Sequence, residues 1–549
     1  MILLSLSNVS LVLGAHFIFR DLNWSIQENQ KIGLIGPNGA GKSSIFKLMV
    51  GEFTPEPGGG VTKAKGATLG YLPQHPDLDP DLSVYETALA GNQRWVAVES
   101  QLVNLEGRLS DPELYSNPKA LSRVLDEHQR LVDEFVILGG DSFPSRVREV
   151  LSGLGLKEDH FDNPVGVLSG GQKKLVYLAS LLLANPTVLL LDEPDNHLDL
   201  KGKEFLEKMI NDYQGAVVIV SHDRYLLDAV VTHIAELEDG KLVTYQGDYS
   251  GYIIDKEHRL HRQEELFRIQ QREIQRLETS MKRYAIWGKQ YDNEKFAKRA
   301  KAIQGRLERM ERLDRPVLDR RRMGLELNGW RGSNKVLEIS YLEKSYYDKP
   351  VLQGVDLLIR HGERVGLIGA NGAGKSVLLR LILGLEQPDS GEIRVGPSIK
   401  IGYYAQEHET LDFEQTLMDT VRRGIPAGGS MSEPGAIAFL NRYLFPYRMV
   451  QQKVLDLSGG ERSRLQLALV VLSGANFLLF DEPTNNLDIP SAEILENELE
   501  DFEGSLLVIS HDRYFLDRTV DRLLVLENGR LKEYLGGYSD YLAQVERSA

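Results

Sequence analysis

The feature that most constrains this chain of 549 residues is a series of motifs that occurs twice in the same order. Each copy has a Gly-rich loop ending in Lys-Ser, a glutamine, a Leu-Ser-Gly-Gly stretch, an apolar run ending in Asp-Glu, and a Ser-His pair. The two loops are 333 positions apart, whereas the motifs from Leu-Ser-Gly-Gly onward are 289 positions apart. The halves are therefore repeats, and the first holds about 43 additional residues before its Leu-Ser-Gly-Gly stretch.

The composition excludes several kinds of site. The chain has no cysteine, which rules out disulfides, thiolate metal sites and cysteine nucleophiles, and we expect a reducing, cytoplasmic compartment. No run of about 18 apolar residues occurs, so no membrane segment is predicted. The net charge of −15 would repel a nucleic acid if it were spread evenly over the surface.

That charge is not spread evenly. Residues 256–322 hold 20 Lys/Arg and 11 Asp/Glu, a local charge of +9. We predict that this stretch is an antiparallel coiled-coil hairpin, with roughly 28 residues per arm and a reach of about 40 Å. Its apolar residues recur every seven positions in two series, interrupted at 287–293: Leu260, Phe267, Ile274 and Met281, then Phe296, Ile303 and Met310.

Each half is predicted to be α/β, because short apolar runs alternate with helical patterns. We expect a first domain at 1–255, a basic linker at 256–325 and a second domain at 326–549. The additional residues of the first domain predict an inserted helical arm at 95–138, with Leu121 and Leu125 among its apolar helical positions.

Each Gly-rich loop is typical of the phosphate loop of a nucleotide-binding domain. The glycines let backbone N–H groups point at phosphates, the lysine supplies a cation and the serine offers a hydroxyl to Mg²⁺. The following helix adds its positive end. We predict that ATP is bound by two sets of residues: Gly36, Pro37, Asn38, Gly39, Ala40, Gly41, Lys42, Ser43 and Ser44, and Gly369, Ala370, Asn371, Gly372, Ala373, Gly374, Lys375, Ser376 and Val377.

The apolar runs 188–191 and 477–480 end in acids, as buried parallel strands do when their carboxyl ends form a site. Asp192 and Asp481 are predicted to hold Mg²⁺, directly or through water. Glu193 and Glu482 are predicted to polarise the water that attacks the phosphate.

The Leu-Ser-Gly-Gly stretches place a hydroxyl and glycine amides at a predicted helix start, which makes a second anion site. A simple helix cap is the alternative interpretation. The residues concerned are Ser169, Gly170, Gly171 and Gln172 in the first half, and Ser458, Gly459, Gly460 and Glu461 in the second.

These motifs resemble those of ATP-binding cassette (ABC) domains, and the whole chain resembles the ABC-F family. The shared features are two P-loop cassettes in one chain, no membrane segment, an arm inserted in the first cassette and a charged helical linker. The closest phrases run from Asp192 to Asp199, from Ser221 to Tyr225 and from Lys295 to Lys301.

The resemblance implies two composite ATP sites, in which the Leu-Ser-Gly-Gly signature of one cassette closes over the phosphate loop of the other. ATP then holds the cassettes together and hydrolysis releases them. It also implies that Gln74 and Gln406 approach the metal and the water, and that His222 and His511 contact the γ-phosphate.

Two departures from the family pattern concern the first site. Asp195 stands where the family usually has threonine, as at Thr484, and an added carboxylate could slow or retune that site. Tyr346 matches the family's adenine-stacking aromatic, but the aligned residue of the first half is Leu13, where Phe17 is a possible substitute.

Members of the family act on ribosomes, which implies binding near the tRNA exit site by a monomer with an intramolecular cassette pair. The charge of the linker favours contact with ribosomal RNA and tRNA over a merely solvated coiled-coil surface. Three alternatives remain open: a translation factor, an antibiotic-resistance factor and the ATPase subunit of a transporter. The predicted RNA-binding residues are Lys282, Arg283, Lys289, Lys295, Lys298, Arg299 and Lys301.

Overall fold

A computed structural model describes residues 1–14, 16–110, 117–290, 294–310, 323–327, 329–347, 349–406, 408–426, 431–485 and 487–548. The chain divides into two compact units. One unit contains residues 1–244 and 323–549, here called the first half and the second half, and the other contains residues 245–322, here called the hairpin unit.

The first half alternates strands and helices. In chain order they are β1 (Ile2–Leu13), β2 (His16–Gln27), β3 (Lys31–Ile35), α1 (Lys42–Val50), β4 (Gly60–Lys63), β5 (Leu69–Leu72), α2 (Val84–Leu89), α3 (Gln93–Leu109), α4 (Pro118–Ile137), α5 (Phe143–Gly153), α6 (Gly170–Ala184), β6 (Val188–Asp192), α7 (Leu200–Asp212), β7 (Ala216–Val220), α8 (Arg224–Val230), β8 (His233–Glu238) and β9 (Lys241–Gln246).

The hairpin unit contains α9 (Tyr249–Gln290) and α10 (Glu294–Arg309). The second half then repeats the pattern, with β10 (Lys335–Tyr346), β11 (Lys349–Arg360), β12 (Arg364–Ile368), α11 (Lys375–Ile382), β13 (Ser390–Val395), β14 (Ile401–Tyr404), α12 (Leu417–Gly424), α13 (Glu433–Arg442), α14 (Gly459–Ser473), β15 (Phe477–Asp481), α15 (Ile489–Asp501), β16 (Ser505–Ile509), α16 (Arg513–Thr519), β17 (Arg522–Glu527), β18 (Arg530–Leu535) and α17 (Tyr538–Ser548).

Both halves have the same sheet topology, which confirms the predicted α/β class. The six-stranded sheets have the orders β5-β6-β7-β3-β8-β9 and β14-β15-β16-β12-β17-β18, and each half adds a three-stranded antiparallel sheet. The central strands pair in parallel. Their carboxyl ends therefore meet at one edge of each sheet, where the motif residues follow β3, β6 and β7 and their counterparts.

Two glycines show why the phosphate loops need their sequence. Gly41 and Gly374 cap α1 and α11 with φ values of 103° and 104°, a left-handed conformation that glycine adopts without strain. A Cβ atom at Gly41 would lie 2.3 Å from Ile18 Cγ2, and one at Gly374 would lie 2.5 Å from Val351 Cγ1. Each loop therefore turns sharply into its helix.

The inserted arm consists of α3 and α4, and not every apolar residue of α4 packs against α3. Leu121 is only half-buried and Leu125 is exposed, whereas Val124 and Leu131 pack against α3. The helix begins at Pro118, with Asn117 accepting a hydrogen bond from the Ala120 N–H.

The two helices of the hairpin unit pair in an antiparallel manner, as the heptad pattern predicts. Arg306 of α10 donates to Glu273 of α9 at 2.8 Å, while the rings of Tyr284 and Phe296 lie 6.1 Å apart near the turn. The first helix is longer than predicted, with 42 residues, and it continues through the predicted break at 287–290. A glycine at 288 does not end the helix, because glycine costs only about 1 kcal/mol at a helical position.

Candidate active sites

The lysine of each phosphate loop is held inside its own loop. Lys42 Nζ donates to the carbonyl oxygens of Gly36 at 2.8 Å and Pro37 at 3.1 Å. Lys375 Nζ donates in the same way to the carbonyl oxygens of Gly369 and Ala370, at 2.7 and 3.1 Å. Burial lowers the pKa of both lysines. Both ammonium groups therefore lie within their loops, at the start of α1 and α11.

Asp192 and Asp481, at the ends of β6 and β15, are buried carboxylates beside the phosphate loops. Both carboxylate oxygens of Asp192 are buried and neither accepts a hydrogen bond of normal geometry among the described residues. Burial raises the pKa of Asp192 and Asp481, and the nearby hydroxyls of Ser43 and Ser376 lower it. A buried carboxylate beside a hydroxyl fits Mg²⁺, which takes one or two protein oxygens and completes its shell with phosphate and water.

Each glutamate after these aspartates lies close to the predicted histidine. His222 Nε2 is 3.9 Å from Glu193 Oε1, and His511 Nε2 is 3.5 Å from Glu482 Oε1. Burial raises the pKa of Glu193, and it raises the pKa of Glu482 to about 7. Burial also lowers the pKa of His222 to about 3 and that of His511 well below its usual value, so both imidazoles are neutral near pH 7.

The glutamines and signature residues occupy the expected elements. Gln74 and Gln406 are exposed two residues after β5 and β14. Ser169 and Ser458 cap α6 and α14, with Gln172 and Glu461 completing a capping box at each helix start. Within the described part of the chain, neither serine forms a hydrogen bond with the opposite half. Each hydroxyl accepts from the N–H of the residue three positions later, as the helix-cap interpretation predicts.

Each phosphate loop contacts an aspartate of the opposite half that was not among the predicted site residues. Asn38 N–H donates to Asp488 Oδ2 at 3.1 Å, and Asn371 N–H donates to Asp199 Oδ2 at 3.2 Å. The Asn371 side chain also donates to the His197 carbonyl at 2.8 Å. The signal was available, because Asp199 and Asp488 are 289 positions apart.

Buried ion pairs also join the two halves with approximate twofold symmetry. Arg224 pairs with Glu496, and Arg513 pairs with Glu207. The Arg224 guanidinium lies 3.9 Å from the ring centre of Tyr514. Each arginine follows the Ser-His-Asp motif of its half, so the interface is attached directly to the histidine loops.

Asp195 and the adenine-binding candidates have distinct surroundings. Asp195 is buried, and burial raises its pKa more than the charge of Lys203 lowers it. Tyr346 is half-exposed, and its hydroxyl donates to Glu386. Phe17 is 54% exposed, with the Arg20 guanidinium 3.6 Å from its ring centre, and Leu13 is 39% exposed.

The predicted RNA-binding residues lie in the hairpin unit. They flank an aromatic cluster formed by Tyr284, Trp287 and Phe296, in which Phe296 lies 5.8 Å from Trp287 and Arg283 lies 5.4 Å from Trp287. The side chain of Lys289 is outside the described residues. The other six are exposed: Lys282, Arg283, Lys295, Lys298, Arg299 and Lys301.

Comparison with known proteins identifies the family. A family model described as ABC transporter matches residues 19–196 and 352–485, and a second model with the same description matches 235–326. The energy-dependent translational throttle protein EttA of Escherichia coli (strain K12) is 36% identical over 95% of this chain and 92% of its own length. The ABC transporter F family member 5 of Arabidopsis thaliana is 32% identical over 96% of this chain and 75% of its own.

A solved structure shares the fold. The archaeal ribosome recycling factor crystallised with a ribosomal stalk protein matches with a TM-score of 0.62 at 20% identity, over 98% of this chain and 92% of that one.

From the family model and the identity to EttA, the chain belongs to the ABC-F family, as the resemblance predicted, and it is an ATP-hydrolysing enzyme with tandem cassettes. Within the described residues, no helix is both long and apolar enough to cross a membrane.

Proposed function

We propose that the protein is a cytoplasmic ATPase that binds the ribosome near the tRNA exit site and modulates translation. The observation that carries this proposal is the similarity, over 95% of the chain, to proteins named energy-dependent translational throttles. ATP closes the two halves on each other, and hydrolysis lets them open. The protein acts as a monomer, because both cassettes are present in one chain.

The basic hairpin supports an RNA partner. Six exposed Lys and Arg side chains flank an aromatic cluster in which Trp287 is exposed and Tyr284 and Phe296 are half-buried. Positive charge with stacking surfaces is the usual basis of RNA contact. We infer that this end of the hairpin approaches ribosomal RNA and the acceptor end of a tRNA, and that the arm formed by α3 and α4 contacts the mobile stalk of the large subunit.

The residues of each site divide the work of hydrolysis. Ser43, Asp192 and Gln74 would hold Mg²⁺ in the first site, and Ser376, Asp481 and Gln406 would hold it in the second. An ion bound there with ATP would neutralise phosphate charge. Lys42 and Lys375 bind the phosphates. Glu193 and Glu482 orient and polarise the attacking water, and the neutral His222 and His511 donate an N–H to the γ-phosphate.

Cosedimentation with ribosomes tests the proposal. In Glu193→Gln/Glu482→Gln, ATP stays bound and the closed state accumulates, so the variant is expected to pellet with ribosomes in ATP and to remain in the supernatant in ADP. An equal distribution with ATP and with ADP would contradict the proposed coupling of ATP to ribosome binding.

Removing positive charge from the hairpin unit distinguishes an RNA partner from the transporter alternative. Replacing Lys295, Lys298, Arg299 and Lys301 by Gln is expected to weaken ribosome binding and to shallow its log–log salt dependence by about 2 to 3 units, if about three of them contact phosphate. Basal ATPase activity should persist.

A matched control removes the same number of positive charges from the first half. Its four substitutions, Lys63→Gln, Lys65→Gln, Lys157→Gln and Lys208→Gln, fall on exposed side chains. If both variants show the same salt slope, the basic hairpin is solvated surface and the transporter alternative gains support.

A further inference from the structure

The two halves differ at two buried positions close to the nucleotide sites. Asp195 and Lys203 of the first half are charged and buried. Their counterparts 289 positions later are Thr484 and Ala492, which are uncharged. At these two positions the first half therefore holds one buried charge of each sign that the second half lacks.

Lys203 connects the first half to the histidine loop of the second. Its Nζ donates to Asp223 Oδ2 at 2.7 Å within the first half, and to the backbone carbonyl of His511 at 2.9 Å in the second. The side chains of Lys203 and Asp223 are 8% and 3% exposed, so water competes little for this bond. A charged donor to a buried carbonyl is one of the stronger hydrogen bonds in a protein.

The position of Lys203 in α7 explains its reach. Asp199 caps this helix and contacts Asn371 in the phosphate loop of the second site, and Lys203 lies one turn later on the same side. In the second half, Asp488 caps α15 and contacts Asn38 of the first site. One turn later stands Ala492, whose methyl group cannot donate to the His222 carbonyl.

His511 is consequently held at both backbone atoms. Its N–H donates to Glu482 Oε2 at 3.2 Å, while its carbonyl accepts from Lys203. The first site is arranged differently, because Glu193 Oε2 accepts from the Asn196 side chain at 2.8 Å. The histidine loop and glutamate of the second site are thus tied to each other and to the first half.

We propose that Lys203 is a positioning residue for the second nucleotide site, fixing His511 and through it Glu482 when the halves are closed, and that the first site lacks an equivalent. Asp223 Oδ2, which accepts from the Lys203 ammonium at 2.7 Å, supplies the opposite charge within the first half. The inference rests on the proposed roles of Glu193 and Glu482, and it makes the two sites unequal in hydrolysis.

The test uses a double variant. Lys203→Ala alone removes the ammonium that donates to the buried Asp223 and leaves an excess of buried negative charge, which can prevent folding. Asp195→Thr/Lys203→Ala removes one charge of each sign and installs the residues with which the second half already folds. Asp223 keeps Arg513 at 3.9 Å. Lys201→Ala, an exposed lysine of the same helix, is the control.

Single-turnover hydrolysis of prebound ATP is measured in two parents. Glu193→Gln leaves only the second site active, and Glu482→Gln leaves only the first. The reference for each parent is the same parent carrying Asp195→Thr alone, so that any effect of Asp195 itself on the first site is removed. Relative to that reference, we expect Asp195→Thr/Lys203→Ala to slow the second site about tenfold, as small misplacements of reacting groups do, and to change the first site less than twofold. Lys201→Ala should change neither.

Equal slowing in both parents, or no slowing of the second site, would overturn the inference. Equal slowing would indicate a general loss of packing. In that case the unfolding temperature of the variant should also fall. If both parents already turn over at the wild-type rate, the roles given to Glu193 and Glu482 fail, and this inference fails with them.

Discussion

The first and second nucleotide sites share every motif, yet their glutamates have different partners. Glu193 accepts from Asn196 within its own loop, and its carboxylate lies 3.9 Å from His222. Glu482 accepts from the His511 backbone and lies 3.5 Å from its ring. Asn196 and His511 have identical counterparts, Asn485 and His222, so the comparison teaches that repeated residues alone do not determine which contacts each glutamate makes.

The interface around the sites is more symmetrical than the sites themselves. Arg224–Glu496 and Arg513–Glu207 repeat the same pair at an offset of 289 positions. Both pairs follow a histidine loop, so closing the halves must affect both sites. One cross-half contact without a charged counterpart is that of Lys203, which donates to the His511 carbonyl, whereas the matching residue of the second half is Ala492.

The largest expected effect comes from removing both glutamates. Glu193→Gln/Glu482→Gln preserves size but removes the carboxylates that polarise water, and we expect ATPase activity to fall about 100-fold or more, with ATP still bound. Phosphate release and filter binding of labelled ATP measure the two properties. Retained activity would show that other groups activate the water at both sites.

Removing the arginine of either cross-half ion pair should have a smaller effect, and the two variants should lose different amounts of the free energy of unfolding. Arg224→Ala leaves Glu496 fully buried, with Arg518 at 3.1 Å as its remaining partner, and we expect a loss of about 3 kcal/mol in the free energy of unfolding. Arg513→Ala should cost less, because Glu207 is partly exposed and water can reach it. Urea denaturation compares the two, with Lys208→Ala as control. Equal losses would mean that burial does not decide the difference.

The smallest effect is expected at the adenine-binding residues. Tyr346→Ala should raise the KM for ATP of the second site about fivefold, since stacking on a base is worth roughly 1 kcal/mol or more. Tyr346→Phe keeps the ring and should leave that KM unchanged. Phe17→Ala should change the first site less than twofold, because Arg20 already covers that ring. A larger effect at Phe17 would identify it as the base platform of the first site.

Much of the fold could be predicted because its signals are local. Continuous apolar runs such as 188–191 identify buried parallel strands, and the Ser-Gly-Gly-Gln and Ser-Gly-Gly-Glu sequences identify capped helix starts. The arm was less predictable. Leu125 keeps helical spacing, but the side of α4 that packs depends on the apolar residues of α3 that it meets in the folded arm. Val124 is buried there, whereas Leu125 is exposed.

Contacts between the halves could not be predicted from local pattern. Lys203 looks like one more lysine on an amphipathic helix, and its burial follows from the approach of His511, 308 positions away. Asp199 and Asp488 were visible as repeated residues, but a repeat alone does not tell that an aspartate crosses to the opposite loop. Only the tertiary arrangement provides that information.

The central claim is that each ATP site is built from both halves, and Ser458→Arg tests it most directly. In the Glu482→Gln parent only the site containing Lys42 hydrolyses ATP, and Ser458 lies 416 positions away in the other half. We predict that Ser458→Arg abolishes single-turnover hydrolysis there, because it places bulk and charge against the γ-phosphate, whereas Ser169→Arg in the same parent leaves it intact. Hydrolysis that survives Ser458→Arg and is lost with Ser169→Arg would contradict the composite sites.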